Sequence, residues 1–442
     1  MIAGRLRPYL FDGSTAILDR HPPSQIADLT HARSVRAPDQ AVRPEIGQAM
    51  AMTAKQPPED RLASWRQALS SINRDSAVLP ILAIFTATRL AMLAIALIAA
   101  TQIAVHEDVL HNGWSNLACR WDCIWYLSVA QKGYSPLAFE VDPNQTNFAF
   151  FPLYPLLVRW VTPLFAGDTM VAAIALSNAC AFAALLYVFR YARMVGLDRG
   201  AALLAVALVC SLPQSFTLSV VLSEGLFLML LAAATYHLRA GHYLAAGIAA
   251  ALLSATRAPG ILFVLLAGLW LVERVGFANL LRPWRNPELL VPLALAPLGL
   301  FAFWAYCFAT TGDAFAQVST ARHGWDWAFS PPWINLPVMF HSGGIPLLVA
   351  TSGLLALACS LLLLRMKLVP EFTYCACAIA LVLSGEGTSS VFRYWLVLFP
   401  IWVAVARMLA GRPLMSALVF SVAGLANAVM VCAWTLKDVI SL

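Results

Sequence analysis

Residues 119–134 read CRWDCIWYLSVAQKGY, with an acid, Asp122, set between Trp121 and Trp125 and followed by Tyr126, Lys132 and Tyr134. Apolar sequence suited to a bilayer lies on either side. A helix over Trp121–Gln131 places Asp122, Trp125 and Tyr126 on one face, because positions three and four apart are neighbours on a helix surface. An acid among aromatic rings at a membrane surface suits carbohydrate chemistry: the rings stack on a sugar's C–H face and the carboxylate takes a hydroxyl proton. An interfacial belt, in which Trp and Tyr gather at headgroup level, fits the same residues.

The chain has 442 residues, 60% of them hydrophobic and only 12% charged. Soluble domains are about 25% charged, so the composition defines an all-α polytopic membrane protein. The net charge of +6 is spread along the chain. It fits loop orientation in a membrane better than a nucleic-acid partner, and none is expected. Most of the cysteines lie in apolar runs and read as small core residues. Cys119 and Cys123 share a polar loop, which leaves a disulfide between them open. No His, Cys and Asp cluster has metal-ligand spacing, so no metal ligand is assigned, and use of a divalent metal stays open. No glycine-rich phosphate loop implies a cytosolic nucleotide.

Residues 1–75 are polar, proline-bearing and of mixed charge, and read as a disordered cytoplasmic tail. Met50 and Met52 are alternative starts within it. Residues 76–442 form the membrane domain. Spans are expected at Ala77–Ala104, Thr169–Ala192, Ala201–Val220, Gly225–Leu238, Tyr243–Thr256, Gly260–Val272, Leu289–Thr310, Phe340–Leu364, Phe372–Ser384, Tyr394–Leu409 and Pro413–Leu436, about eleven in all. A large first extracytoplasmic loop, 105–168, separates the first two. Within it Phe148–Phe165 carries Pro152, Pro155 and Pro163, and reads as a re-entrant or interfacial piece.

A cytoplasmic N-terminus puts most loop Lys and Arg inside, as the positive-inside rule asks. It places Asp122 outside, together with Ser223–Glu224, Thr256–Arg257 and Arg393–Tyr394. Polar clusters meeting at one face of an apolar bundle mark a site. Ser215, Ser219 and Ser223 recur every four residues, which predicts one polar helical face. Arg257 and Arg393 suit phosphate, because the guanidinium fork matches two oxygens; snorkelling to lipid headgroups is the other reading. FFPLY, Phe150–Tyr154, is either a groove wall or a packing corner. His323 and Asp326 belong to a solvated loop.

Taken together, these motifs resemble the PIG-V family of membrane mannosyltransferases. WDCIWYLSVAQKGY is similar to that family's WDxxWYxxIAxxGY, FFPLYPLLVRW to its FPLYPLLVR, and SNACAFAALLYVFRYAR to its SN motif ending in Tyr and Arg. SFTLSVVLSEGLF is similar to SFxxSxxYSESLF, and AAGIAAALLSATRAPGIL to AGxxxALASATRxxG. TGDAFAQV resembles a GDPLAFxxAQ loop, and FRYWLVLFP the closing RY…FP. The matches fall in one order over about Arg120–Pro400. The resemblance implies a GT-C type bundle that uses a polyprenyl-phosphate sugar at the extracytoplasmic face. It carries the family's acid onto Asp122, its glutamate onto Glu224, and its TR and RY arginines onto Arg257 and Arg393. Leu222 stands where the family usually has Tyr, and Cys123 where Gly is frequent, which bears on acceptor choice.

The expectation is therefore transfer of mannose from a polyprenyl or dolichyl phosphate to the hydroxyl of a glycan or glycolipid acceptor. Asp122 would act as general base, with Glu224 the second acid. Trp121, Trp125, Tyr126, Lys132, Tyr134, Tyr154, Ser223, Arg257, Arg393 and Tyr394 are the expected substrate-binding residues. The Ala- and Leu-rich composition fits a bacterial inner membrane. Two alternatives stand beside this: a GT-C enzyme for another lipid-linked sugar, and a non-enzymatic transporter-like protein.

Overall fold

The computed structural model describes residues 77–103, 117–135, 145–277, 286–385 and 392–436. The tail expected at 1–75 lies outside the described residues. Among those described the chain is helical, with a single isolated bridge between Phe329 and Gly385. Helix α1 is Val78–Ile98, and a π turn, Ala99–Ile103, extends it. The first loop then carries two short helices, α2 (Cys123–Lys132) and α3 (Leu153–Val161). Helices α4 (Thr169–Met194), α5 (Arg199–Ser211), α6 (Glu224–Arg239), α7 (Tyr243–Ser254) and α8 (Phe263–Val275) follow.

Next come α9 (Val291–Leu295), α10 (Leu298–Thr311), α11 (Ala316–Gly324) and α12 (Pro332–Ser342). The chain closes with α13 (Gly344–Arg365), α14 (Val369–Leu383), α15 (Phe392–Val397), α16 (Phe399–Leu409) and α17 (Pro413–Leu436). Among the described residues six helical stretches are long and apolar enough to cross a bilayer: Val78–Thr101, Thr169–Met194, Ala258–Val275, Pro287–Thr311, Gly344–Arg365 and Pro413–Leu436. Each meets or approaches the ~20 residues that a span needs. Shorter apolar helices fill the spaces between them, including α5, α7, α14 and α16.

Local chemistry explains the boundaries. Asp168 and Asp198 cap α4 and α5 by accepting from backbone N–H groups of the first turn, Met170 and Val171 in one case and Ala201 in the other. Several expected spans are interrupted, mostly at proline, which removes a backbone donor and biases the preceding residue away from the helix. The stretch expected over Ala201–Val220 ends as a helix at Ser211, just before Pro213. It continues as a 3₁₀ turn over Ser215–Leu218, and α6 begins only at Glu224. The serines at 215, 219 and 223 therefore do not share a helical face. Ser215 donates to the Cys210 carbonyl, Ser219 accepts from Arg89, and Ser223 meets Tyr126. The stretch over Leu289–Thr310 is likewise split between α9 and α10, with Pro292 and Pro297 at the joints.

Small residues let the helices approach closely, which in a membrane replaces the hydrophobic driving force with packing. Helix α6 packs most extensively on α4 and α7. At its start a Cβ on Gly225 would lie only 2.8 Å from the Ser177 carbonyl oxygen and 3.2 Å from that of Leu218. Helix α6 has 16 residues, about 24 Å at ~1.5 Å per residue, and separates two polar clusters. At its far end Arg239 forks onto the fully buried Glu371, which also accepts from the Tyr191 hydroxyl at 2.8 Å. At its near end lies Glu224. One arginine in α1 is held inside the bundle: Arg89 donates to the carbonyl of Ser215 at 2.5 Å and to the Ser219 hydroxyl at 3.1 Å. It braces the irregular segment that leads to Glu224.

Candidate active site

Four turns meet near the start of α6, and backbone hydrogen bonds tie them in pairs. Val221 N–H donates to the Ala118 carbonyl at 3.0 Å, tying the segment before Glu224 to the loop before Asp122. Leu153 N–H donates to the Ala255 carbonyl at 3.1 Å, tying the FFPLY turn to the turn before Arg257. Cys119 and Cys123 are joined by a disulfide with their Cα atoms 5.2 Å apart, closing a small ring around Asp122. Trp121 adopts φ 51° and stands 44% exposed on the outside of this turn. The helical face expected from Trp121 onward thus starts at Cys123, with Asp122 at the N-cap position. The Asp122 side chain makes no cap bond and turns instead toward Arg393.

Four charged groups define the centre. Arg393 Nη2 donates to Asp122 Oδ2, and Arg257 Nη1 donates to Glu224 Oε1. Arg393 Nε also lies 3.4 Å from Glu224 Oε1, so Glu224 is flanked by both arginines. Glu224 is 1% exposed and its Oε2 has no hydrogen-bond partner. Asp122, at 22%, is the more open acid. Arg257 rests on the face of Tyr394, 4.5 Å from its centroid, a cation–π contact. Arg393 is buried, Arg257 is largely covered, and both are engaged by acids, which speaks against side chains snorkelling to headgroups.

Tyr126 joins this centre through its hydroxyl, 2.9 Å from the Ser223 Oγ, and Arg257 Nη1 lies 3.4 Å from the same oxygen. Burial pushes the Tyr126 phenol above its ordinary pKa, so it is a neutral hydroxyl rather than a phenolate. A cavity of about 320 Å³ opens beside the charges, within the ~300–1,000 Å³ typical of small-molecule sites. Asp122, Tyr126, Arg257, Arg393 and Tyr394 line it, with Phe150, Phe151, Thr256, Gln317, Trp327, Leu381 and Val382. Among the described lining residues Asp122 is the one acid.

The remaining expected residues stand outside the cavity lining. Ser223 and Glu224 lie directly behind it. Trp125 is 5% exposed, stacked on Phe150 with centroids 5.7 Å apart and met edge-on by Trp325. Tyr134 donates to the Phe150 carbonyl at 2.6 Å and packs on Phe148 and Phe303. Tyr154 is fully buried, with its hydroxyl 2.7 Å from Ser177 Oγ. Lys132 is exposed at the end of α2. The FFPLY turn serves both expected purposes: Phe150 and Phe151 form a wall, and Tyr154 forms the packed corner. Gln317, Thr256 and Trp327 are additional lining residues. In the sequence the AQ of TGDAFAQV marks Gln317 and the Thr256–Arg257 cluster marks Thr256, while Trp327 carries no such mark. His323 and Asp326 are exposed, as expected for a solvated loop. Among the described residues no three of His, Cys, Asp and Glu gather as a metal site.

Among the described residues the chain is a helical bundle with a cavity beside a cluster of two acids and two arginines. Residues 77–311 match the family described as mannosyltransferase (PIG-V), more than half of the chain, and the chain belongs to that family. That family is one of glycosyltransferases, and six helical stretches among the described residues are long and apolar enough to cross a membrane. No curated protein matches the chain. Among solved structures, the oligosaccharyltransferase of Archaeoglobus fulgidus, in complex with Zn and sulfate, is similar at 13% identity and a TM-score of 0.44, over 79% of this chain and 53% of that one. The archaeal oligosaccharyltransferase AglB from the same organism, in complex with an inhibitory peptide and a dolichol-phosphate, gives 14% and 0.42, over 79% and 56%. The chain spans about half the length of these proteins.

Proposed function

We propose that the protein transfers mannose from a polyprenyl-phosphate donor to a hydroxyl of a glycan or glycolipid acceptor. The observation that carries this reading is Asp122, an acid at the cavity wall, placed opposite arginines suited to a phosphate. In the reaction Asp122 takes the proton of the acceptor hydroxyl as that oxygen forms its bond to the sugar's anomeric carbon. The bond from that carbon to the phosphate oxygen breaks, and the polyprenyl phosphate leaves with the electron pair. Arg393 and Arg257 offset the charge that develops on the leaving phosphate. A single displacement inverts the anomeric carbon. That step is an inference from the single base, and product of retained configuration would refute it.

The aromatic wall of Phe150 and Trp327 is suited to a sugar face, and Leu381 and Val382 to the first units of the lipid. Tyr126 offers a neutral hydroxyl to the sugar. Glu224 serves as the buried counterion of the two arginines rather than as the base. Membership in the mannosyltransferase family supports mannose as the donor sugar. The loop charge pattern supports a cytoplasmic N-terminus and a cavity open to the extracytoplasmic side of a bacterial inner membrane. Incubating membranes that contain the protein with labelled mannosyl, glucosyl and arabinosyl polyprenyl phosphates tests the donor. Mannose should transfer and the others should not. Preferential transfer of another sugar would overturn the donor assignment while leaving the reaction class.

A further inference from the structure

The site as it stands is balanced. Two carboxylates, Asp122 and Glu224, face two guanidinium groups, Arg257 and Arg393, and each arginine already touches an acid. A donor phosphodiester brings one more negative charge into this closed set. Buried charge that is left unpaired is costly, so the phosphate competes with the two acids for the arginines.

The two acids are unequally placed to do so. Glu224 is 1% exposed, outside the cavity lining, and lies between both arginines at the start of α6. Asp122 is 22% exposed, lines the cavity, and holds Arg393 through one oxygen. Arg393 is likewise asymmetric. Its Nε faces Glu224 at 3.4 Å while Nη2 faces Asp122. With Asp122 gone, Glu224 still anchors the guanidinium and the Nη side is left for a phosphate, whose oxygens match the fork. Of the two acids, Asp122 is the one that lines the cavity, so its departure uncovers a fork that faces the cavity and is still oriented by Glu224.

Resting on the transferase reading above, we propose that the donor phosphate takes the place of Asp122 on Arg393, so that seating the donor releases the base. The apo pair is then a resting lock. Asp122 becomes available to an acceptor hydroxyl only after the phosphate is in place, which sets the order of binding as donor first, acceptor second. Glu224 stays with both arginines throughout and keeps the fork aimed at the cavity.

The test is equilibrium binding of a short-chain polyprenyl phosphate to the purified full chain in nanodiscs, without divalent cations. Asp122→Asn removes the competing charge and keeps the shape. It should bind the lipid phosphate roughly tenfold more tightly than wild type, the scale of one charged hydrogen bond. Asp122→Ser is a second neutral variant should the amide not fold, and should also gain. Asp122→Glu keeps the charge and should bind as wild type does. Arg393→Gln should lose binding. Equal or weaker binding by the neutral variants, with measurable wild-type binding, would overturn the exchange and leave the donor reading intact. Wild-type binding that needs magnesium or manganese, and is lost in Asp122→Asn, would also overturn it by placing a cation between acid and phosphate. Absence of binding by wild type and all variants would overturn the lipid-phosphate donor together with the exchange.

Discussion

Arg393 donates to the carboxylate of Asp122 although 271 positions separate them in the chain. One comes from the first large loop and the other from the start of α15, and the pair closes the site between them. Arg393 also approaches Glu224, so one guanidinium spans both acids.

Arg393→Lys should therefore fail despite keeping its charge. An ammonium is a point charge without the planar fork, and cannot serve Glu224 and a phosphate together. Loss of one preorganised donor to a developing oxyanion costs about 10²–10³ in rate, and kcat should fall by that order. Steady-state kinetics with a mannosyl donor checks this; a lysine variant with wild-type kcat would show that the fork is not used.

The two acids should differ in what they do to stability. Glu224→Gln leaves Arg257 and the buried Arg393 without their shared counterion. Breaking a buried ion pair from one side typically costs about 3–5 kcal/mol. Asp122→Asn, at a 22% exposed side chain, should cost far less. Thermal unfolding in one detergent, compared across the two variants, reads the difference; equal midpoints would contradict the assignment of Glu224 as the structural counterion.

Gly225→Ala places a methyl group 2.8 Å from the Ser177 carbonyl oxygen and 3.2 Å from that of Leu218. Both are backbone atoms and cannot swing aside. Overpacking of this kind costs about 1–3 kcal/mol, and the shift falls on the residue next to Glu224. A lowered thermal midpoint with reduced transfer is expected. An alanine variant with unchanged midpoint would mean that α4 and α6 can separate freely there.

The disulfide between Cys119 and Cys123 restrains the turn that presents Asp122. Closing so short a loop is worth about 2 kcal/mol in the chain-entropy account, a small shift in the midpoint of a bundle this large. Cys119→Ser with Cys123→Ser should lower the thermal midpoint only slightly and lower transfer several-fold. Full activity in the double variant would show that the backbone bond from Val221 to Ala118 suffices to hold the turn.

Much of the site was legible because its residues sit in short, unusual strings. A WDxxWY beside apolar sequence and an arginine after SAT each have few structural explanations at a membrane surface. What the string does not contain is the partner. The pairing of Asp122 with Arg393 depends on the path of the whole bundle between them. The aromatic residues were harder to sort. Trp125, Tyr134 and Tyr154 have the composition of a sugar platform, yet they pack on Phe150, Phe148 and Ser177, because rings at one interface satisfy one another as readily as a ligand. The serine spacing misled for a local reason: Pro213 ends the helix, so a four-residue period there has no face to define. Gln317 and Trp327 reach the cavity only through the placement of α11 and the segment after it, where Thr146 lies 3.1 Å from Thr320 and Gln145 donates to the Gly324 carbonyl at 2.7 Å.

The assignment of Asp122 as the base is decided by label transfer from a radiolabelled mannosyl polyprenyl phosphate in membranes that express wild type or Asp122→Asn at equal levels. Asparagine keeps the shape and removes the proton acceptor. The account predicts transfer by the wild type and loss of about 10²–10⁴-fold in the variant, the scale of general-base catalysis. Equal transfer by both proteins would contradict it.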